Sequence, residues 1–328
     1  LNTIKQERLN NQVANLDVET SENSIQESIA QIYIQILYAA ESVKVNENTL
    51  QVSIAQRDRG QELLNAGSIA KSDFAQLEAQ VSTDRYQLVT AQATLQDYKL
   101  QLKQLLELDG ENEMNIYLPV LSDENVLLPL PAKKDVYMSA LTLRPEIEAS
   151  KINVEASELG IDIAKAGYLP TISLSAGIGT NHTSGSDFTF GEQVKNGWNN
   201  SIGVSVSVPI FNNRQTKSAV QKAKLQRETS LLSLLDEQKT LYKTIEGLWL
   251  DANSAQQRYA AANEKLKSTQ ISYDLISEQF DLGMKNTVEL LTEKNNLLQA
   301  QQEQLQAKYM AILNTQLLKF YQGDKLAL

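Results

Sequence analysis

Along residues 1–108 and 213–323 the apolar positions recur at helical spacing. Ile25, Ile29, Ile32, Ile36, Ala39 and Val43 alternate steps of four and three, the heptad pattern of a coiled-coil seam. Phe74, Leu77, Val81, Leu88, Ala91, Leu95, Tyr98, Leu102 and Leu105 continue it, with Asp84 as the one polar break. Downstream, Ile245, Ala252, Tyr259, Leu266, Tyr273 and Phe280 repeat every seven residues, as do Leu291, Leu298, Leu305 and Ile312. Ile34, Leu37, Val45 and Val52 fall off the seam and make a second apolar stripe, as expected where each helix touches two neighbours. The six prolines stand at 119, 129, 131, 145, 170 and 209, so neither block contains a helix breaker. Turn-like Asn65-Ala66-Gly67-Ser68 and Asp281-Leu282-Gly283 divide the blocks. The pattern predicts helices at about 3–65, 70–108, 213–281 and 286–322. A helix of some 60 residues spans about 90 Å, too long for one globular core to wrap. It calls for partner helices in a coiled coil, with an ordinary helical bundle as the plainer alternative.

The two blocks are copies. A shift of 216 residues brings Leu9 onto Leu225, Leu16 onto Leu232, Tyr33 onto Trp249, Gly67 onto Gly283, Asp73 onto Glu289 and Leu102 onto Leu318. Each block therefore predicts one antiparallel helical hairpin.

Between them the period changes. Residues 109–145 hold four of the six prolines and no long repeat, which reads as a region of mixed, short elements. Pro145-Glu146-Ile147-Glu148 opens a helix with Pro and acidic residues at its positive end, and Gly167-Tyr168-Leu169-Pro170 stops it. Two strictly alternating segments follow. Ile172, Leu174, Ala176 and Ile178 interleave with Ser and Gly, as do Ile202, Val204, Val206, Val208 and Ile210. Period two predicts strands. A soluble sheet usually carries Lys, Glu or Arg on its outer face. These strands carry Ser and Gly, as in a membrane barrel that turns apolar residues to lipid and small polar ones to a lumen. A soluble hairpin packed on helices is the other reading. Residues 180–199 between them, with Gly185, Asp187, Gly191 and Trp198, read as an exposed loop.

Composition narrows the chemistry. With no Cys and a single His, His182, the 328-residue chain has no thiol nucleophile, no Cys-ligated metal and no multi-His site. His182 falls in the loop between the strands and reads as a solvated side chain. Its formal charge of −10 argues against nucleic-acid binding. Acidic residues such as Glu41, Glu47 and Asp84 are scattered along helices and read mostly as solvated faces. No phosphate-binding loop or metal motif is present, so neither enzyme chemistry nor a cofactor is expected.

In order along the chain, Arg144-Pro145-Glu146-Ile147, Tyr168-Leu169-Pro170-Thr171-Ile172, Val208-Pro209-Ile210-Phe211-Asn212-Asn213-Arg214 and the two Gly-x5-acid-apolar turns resemble the TolC-type outer-membrane efflux proteins. The resemblance implies a mainly α fold with a β-hairpin. Long antiparallel helical hairpins would form a periplasmic α-barrel, and the hairpin would join a trimeric outer-membrane β-barrel. Residues 1–108 would be the first helical hairpin, 109–143 an equatorial region and 144–167 the helix leading to the barrel. Residues 168–212 would be the membrane hairpin, 213–323 the second helical hairpin and 324–328 a tail. Ile172, Leu174, Ile178, Ile202, Val204, Val206 and Val208 would face lipid. The family's protomers give four strands each to a twelve-stranded barrel, whereas one hairpin is present here. At the 216-residue offset its partner would precede Leu1, so an N-terminal helix, a first hairpin and a signal peptide are expected upstream.

By motif position, Ser72, Asp73, Phe280 and Lys285 match the family's residues linking the helical pairs at a closed periplasmic entrance. Glu289 matches one acidic ring on the threefold axis. The second ring position falls on Thr292, which carries no charge. Three carboxylates around a narrow pore would repel one another and attract cations, and a Lys285–Asp73 pair would favour closure. Alternatively, Asp73 and Glu289 cap the helices that follow Gly67 and Gly283. The implied function is a passive homotrimeric exit duct in outer-membrane lipid, joined to a periplasmic adaptor and an inner-membrane pump. A periplasmic coiled-coil adaptor, or a scaffold without channel activity, is the alternative.

Overall fold

The computed structural model describes residues 1–108, 116–119, 126–185 and 187–326. Parts of the expected equatorial region (109–115 and 120–125) and the last two residues of the expected tail lie outside the described residues. Helix α1 covers Asn2–Asn65, α2 Lys71–Leu105, α3 Lys133–Leu143 and α4 Pro145–Lys165. Strand β1 covers Thr171–Gly179, helix α5 Phe190–Asn196 and strand β2 Asn199–Ser207. Helices α6, Gln215–Asp281, and α7, Thr287–Gln322, complete the order. The four long helices end within a few residues of the predicted bounds.

In the middle one expectation gains detail and one changes. The Pro-rich stretch contains a regular helix, α3, whose Val136 and Ala140 are buried. The loop between the strands contains α5. Its start is fixed by Thr189 and Glu192, whose carboxylate accepts from the Thr189 backbone N–H at 2.9 Å and from its hydroxyl at 2.8 Å.

The chain forms two compact units. The first comprises Leu1–Leu16 and Glu148–Glu237. In it the amide of Gln6 donates to the Ala156 carbonyl at 3.0 Å, the hydroxyls of Ser157 and Ser230 lie 2.7 Å apart, and Arg227 pairs with Glu158 at 3.0 Å. Strands β1 and β2 pair antiparallel in register Ile172↔Val206, Leu174↔Val204 and Ala176↔Ile202. All the aliphatic side chains therefore share one face. On the other face Ser173 meets Ser205, Ser175 meets Gly203 and Gly177 meets Ser201.

The second unit comprises Asp17–Ile147 and Gln238–Leu328. Its core is a succession of layers along the long helices. Val136, Ala140 and Ile147 pack with Leu241, Ile245, Ala252, Leu318 and Tyr321. Ala30, Ile34 and Leu37 pack with Leu305, Tyr309, Leu313 and Leu317. Nearest the helix turns, Leu77, Phe280 and Leu290 close the stack. Arg144 is buried in this unit. Its guanidinium donates to Glu146 at 2.8 Å and to Glu27 at 3.3 Å, and it lies 4.3 Å from the Tyr321 ring centre. Burial alone would lower its pKa, but the hydrogen bond and charge of Glu146, with Tyr321 and Glu27, raise it. Burial raises the Glu27 carboxyl and pushes the Tyr321 phenol up to about 12.

Candidate functional site

The two helix turns share one backbone geometry, 216 residues apart. Gly67 and Gly283 both adopt φ +73°. The Gly67 N–H donates to the Leu64 carbonyl at 3.0 Å and the Ser68 N–H to that of Leu63 at 2.8 Å. The Gly283 N–H donates to the Phe280 carbonyl at 2.9 Å and the Met284 N–H to that of Gln279 at 2.8 Å. This is the paired Schellman termination, whose left-handed residue favours glycine.

The helix starts that follow differ in strength. Asn286 caps α7, its side-chain oxygen accepting from the Glu289 N–H at 2.9 Å. The Glu289 carboxylate accepts in return from the Asn286 N–H at 3.3 Å. Ala70 precedes α2 with no capping side chain, and only the Asp73 carboxylate, 3.4 Å from the Ala70 N–H, serves there. Capping geometry is thus present at both acidic positions.

Lys285 pairs with Glu289 at 2.6 Å and makes no ion pair with Asp73 within the chain. Lys285 lies in the turn that precedes α7, four residues ahead of Glu289. The Lys285 hydrogen bond, followed by the Asn286 backbone, holds the Glu289 carboxyl below its ordinary range. Phe280, expected as a linking residue, is buried against Leu77 and Leu290. Ser72 and Thr292 are exposed, and the Thr292 hydroxyl donates to the Val288 carbonyl at 2.7 Å. At the second turn Leu282, Met284 and Val288 are exposed. Their counterparts one repeat earlier are Ala66, Ser68 and Ser72. The tips are therefore alike in backbone and different in chemistry.

Behind the tips lie polar groups that the pattern of the sequence did not bring together. Asp84 is 1% exposed, not solvated, and pairs with Lys294, 4% exposed, while Ser53 bonds to both. The break at Asp84 was legible as a polar residue on an apolar seam. Its partner, 210 residues away, was not. Gln56 donates to the Tyr273 hydroxyl at 2.9 Å, and Arg59 donates to the Asp281 carbonyl at 3.1 Å. Both interactions tie α1 to the end of α6.

At the hairpin, Ile172, Leu174, Ile178, Ile202, Val204, Val206 and Val208 are each between 59% and 83% exposed. At about 25 cal/mol per Å² of apolar surface, such a face is costly in water. The Ser175 hydroxyl donates to the Gly203 carbonyl at 3.3 Å and the Ser201 hydroxyl to that of Gly177 at 3.5 Å. A methyl group on either glycine would lie 3.1 Å from the facing Ser oxygen. In the loop between the strands His182 Nδ1 lies 3.1 Å from the Gln193 side-chain oxygen, and its ring stacks edge-on to Phe190.

Comparison with known proteins bears on the family and the fold. The family "Outer membrane efflux protein" matches residues 136–323, more than half of the chain. The outer membrane efflux protein BepC of Brucella suis biovar 1 (strain 1330) is 25% identical over 294 residues, 89% of this chain and 61% of that protein. The outer membrane protein TolC of Escherichia coli (strain K12) is 23% identical over 313 residues, 92% of this chain and 62% of its own length. The chain thus spans about three fifths of these curated relatives. Among solved structures, the Campylobacter jejuni CmeC outer membrane channel superposes with a TM-score of 0.80 at 19% identity, covering 100% of this chain and 68% of that one. At that identity the likeness establishes the fold.

Proposed function

The chain belongs to the outer membrane efflux protein family, and on that premise we propose that it is the exit duct of a tripartite efflux or secretion system, a passive homotrimeric channel gated at its periplasmic helical tips. Membership places it at the outer membrane and apart from enzymes.

The β1–β2 hairpin carries the reading. Its aliphatic face is exposed along both strands while its other face is Ser, Gly, Thr and Asn, and no charged residue interrupts either strand. Nine-residue strands match a tilted crossing of the hydrocarbon layer. A two-stranded sheet leaves unpaired backbone on both edges, which lipid does not tolerate. Neighbouring strands must close it, and copies around a threefold axis would contribute them. The helical hairpins then extend into the periplasm as an α-barrel. The exposed Leu282, Met284 and Val288 suit the apolar tip of a periplasmic adaptor hairpin. Transport energy comes from the inner-membrane pump.

Protease accessibility tests the topology. A cleavage site placed between Thr180 and Trp198 is cut from outside intact cells if the hairpin crosses the outer membrane. Cleavage only after the outer membrane is permeabilised would put the loop in the periplasm, and an adaptor or scaffold would replace the duct.

A further inference from the structure

Besides the node at Arg144, a second buried charged group lies behind the tips. Asp84 of α2 and Lys294 of α7 form an ion pair, and the Ser53 hydroxyl of α1 donates to the carboxylate while accepting from the ammonium group. The other carboxylate oxygen accepts from the Gln80 amide at 2.9 Å, so each end of the pair is satisfied within the protein. Lys294 lines a groove in which Asn48, Thr49 and Gln301 stand beside Val45 and Val52. Leu77 and Val81 precede Asp84 on α2, and Leu290, Leu297 and Leu298 flank Lys294 on α7, all of them buried. Burial lowers the Lys294 pKa, with Asp84 partly opposing the shift.

The other copy of the repeat does not carry this charged set. At the 216-residue offset Asp84 corresponds to Ala300, fully buried, Ser53 to Thr269, and Lys294 to Glu78, which is exposed. Among the described residues the charged arrangement occurs once, on the contact between the first helical hairpin and the second. Such a pair is a poor source of stability, because removing two charges from water offsets most of their attraction, and apolar residues of similar size often do as well or better. It has two other consequences. First, a shift of α7 along α1 and α2 would leave both charges buried and unpaired, so one register is selected. Second, water solvates the two charges once the hairpins part, whereas an aliphatic contact of equal size would expose apolar surface. Separation is favoured over sliding.

We propose that Ser53, Asp84 and Lys294 form a latch between the two helical hairpins, holding α7 in register on α1 and α2 when shut and releasing by hydration of both charges. The proposal rests on the reading of the chain as a duct gated at its helical tips. It places the determinant of opening about two turns into α7, inside the protein, in addition to the surface pair Lys285–Glu289.

Hydrogen–deuterium exchange of the protein in lipid nanodiscs tests the latch without requiring transport. In Asp84→Leu/Lys294→Met, amides over 77–88 and 290–298 should exchange about tenfold more slowly than in the unaltered protein. In Asp84→Asn, which leaves the ammonium buried and unpaired, they should exchange faster. Exchange in the double variant equal to or faster than in the unaltered protein, with its helical circular dichroism retained, would overturn the proposal. Asp84→Asn is not needed for that decision should it fail to fold. Single-channel recording in planar lipid bilayers adds the functional arm, with fewer openings expected in the double variant. Undiminished opening despite slowed exchange would overturn the gating role. Should the unaltered protein conduct no ions, the duct reading fails, while exchange still decides whether the latch exists.

Discussion

At the scale of single residues, charges decide the behaviour of the tips and of the buried node around Arg144. Lys285 shields Glu289 within the chain, so an acidic ring at a threefold axis would be partly neutralised. Lys285→Gln should raise cation preference, read as a shift in reversal potential across a KCl gradient. Glu289→Gln should lower it, and equal potentials in all three proteins would leave Glu289 with its capping role alone. The Glu289 carboxyl is held below its ordinary value, so what its ionised form contributes to the tip is present above the unfolded pKa and lost as pH falls through the folded one. Around Arg144, two carboxylates share one guanidinium. Arg144→Leu should cost about 2–3 kcal/mol in thermal unfolding, less than the 3–5 kcal/mol of a fully buried pair, because Glu27 and Glu146 keep about a fifth of their exposure. The Glu27 pKa is already raised by burial and rises further without Arg144. The folded variant then binds a proton more readily than the unfolded chain, so the deficit should shrink as pH falls through the Glu27 pKa. A deficit independent of pH would assign the loss to packing on Phe320 and Tyr321 instead.

At the scale of elements, the helices were legible because nothing in 1–118 or 210–328 breaks them and two glycines mark their turns. The recurrence of one turn geometry at Gly67 and Gly283 follows from the repeat. Nothing lies within 4 Å of a methyl group at either position, so Gly67→Ala and Gly283→Ala should each cost about 1 kcal/mol, from backbone conformation alone. Gly60 differs. A methyl group there would come within 2.3 Å of Leu77 Cδ1, and Leu77 is locked against Phe280 and Leu290. Gly60→Ala should cost about 1–3 kcal/mol, and urea unfolding giving the same value at all three glycines would contradict this account of the tip. Helix α3 escaped the sequence reading because eleven residues between prolines show too few turns for a period to emerge. Helix α5 is shorter still. The pairing of Asp84 with Lys294 escaped for another reason: a seam pattern records which face a residue occupies, not which residue meets it.

At the scale of the whole molecule, two helical hairpins related by a repeat occur in one chain with a strand hairpin whose aliphatic face is exposed. The two faces of that sheet should respond differently to one charge. Val204→Arg should weaken assembly into the outer membrane by about 2–4 kcal/mol near the membrane midplane, whereas Ser205→Arg on the opposite face should assemble and alter selectivity. The net charge of −10 argues against nucleic-acid binding and fits a lumen that favours cations. The central claim is that the protein is a passive duct, and conductance of the purified protein across a planar lipid bilayer tests it most directly. Stepwise, cation-preferring currents that require no nucleotide are expected. Bilayers that stay silent while the protein is demonstrably inserted would contradict it.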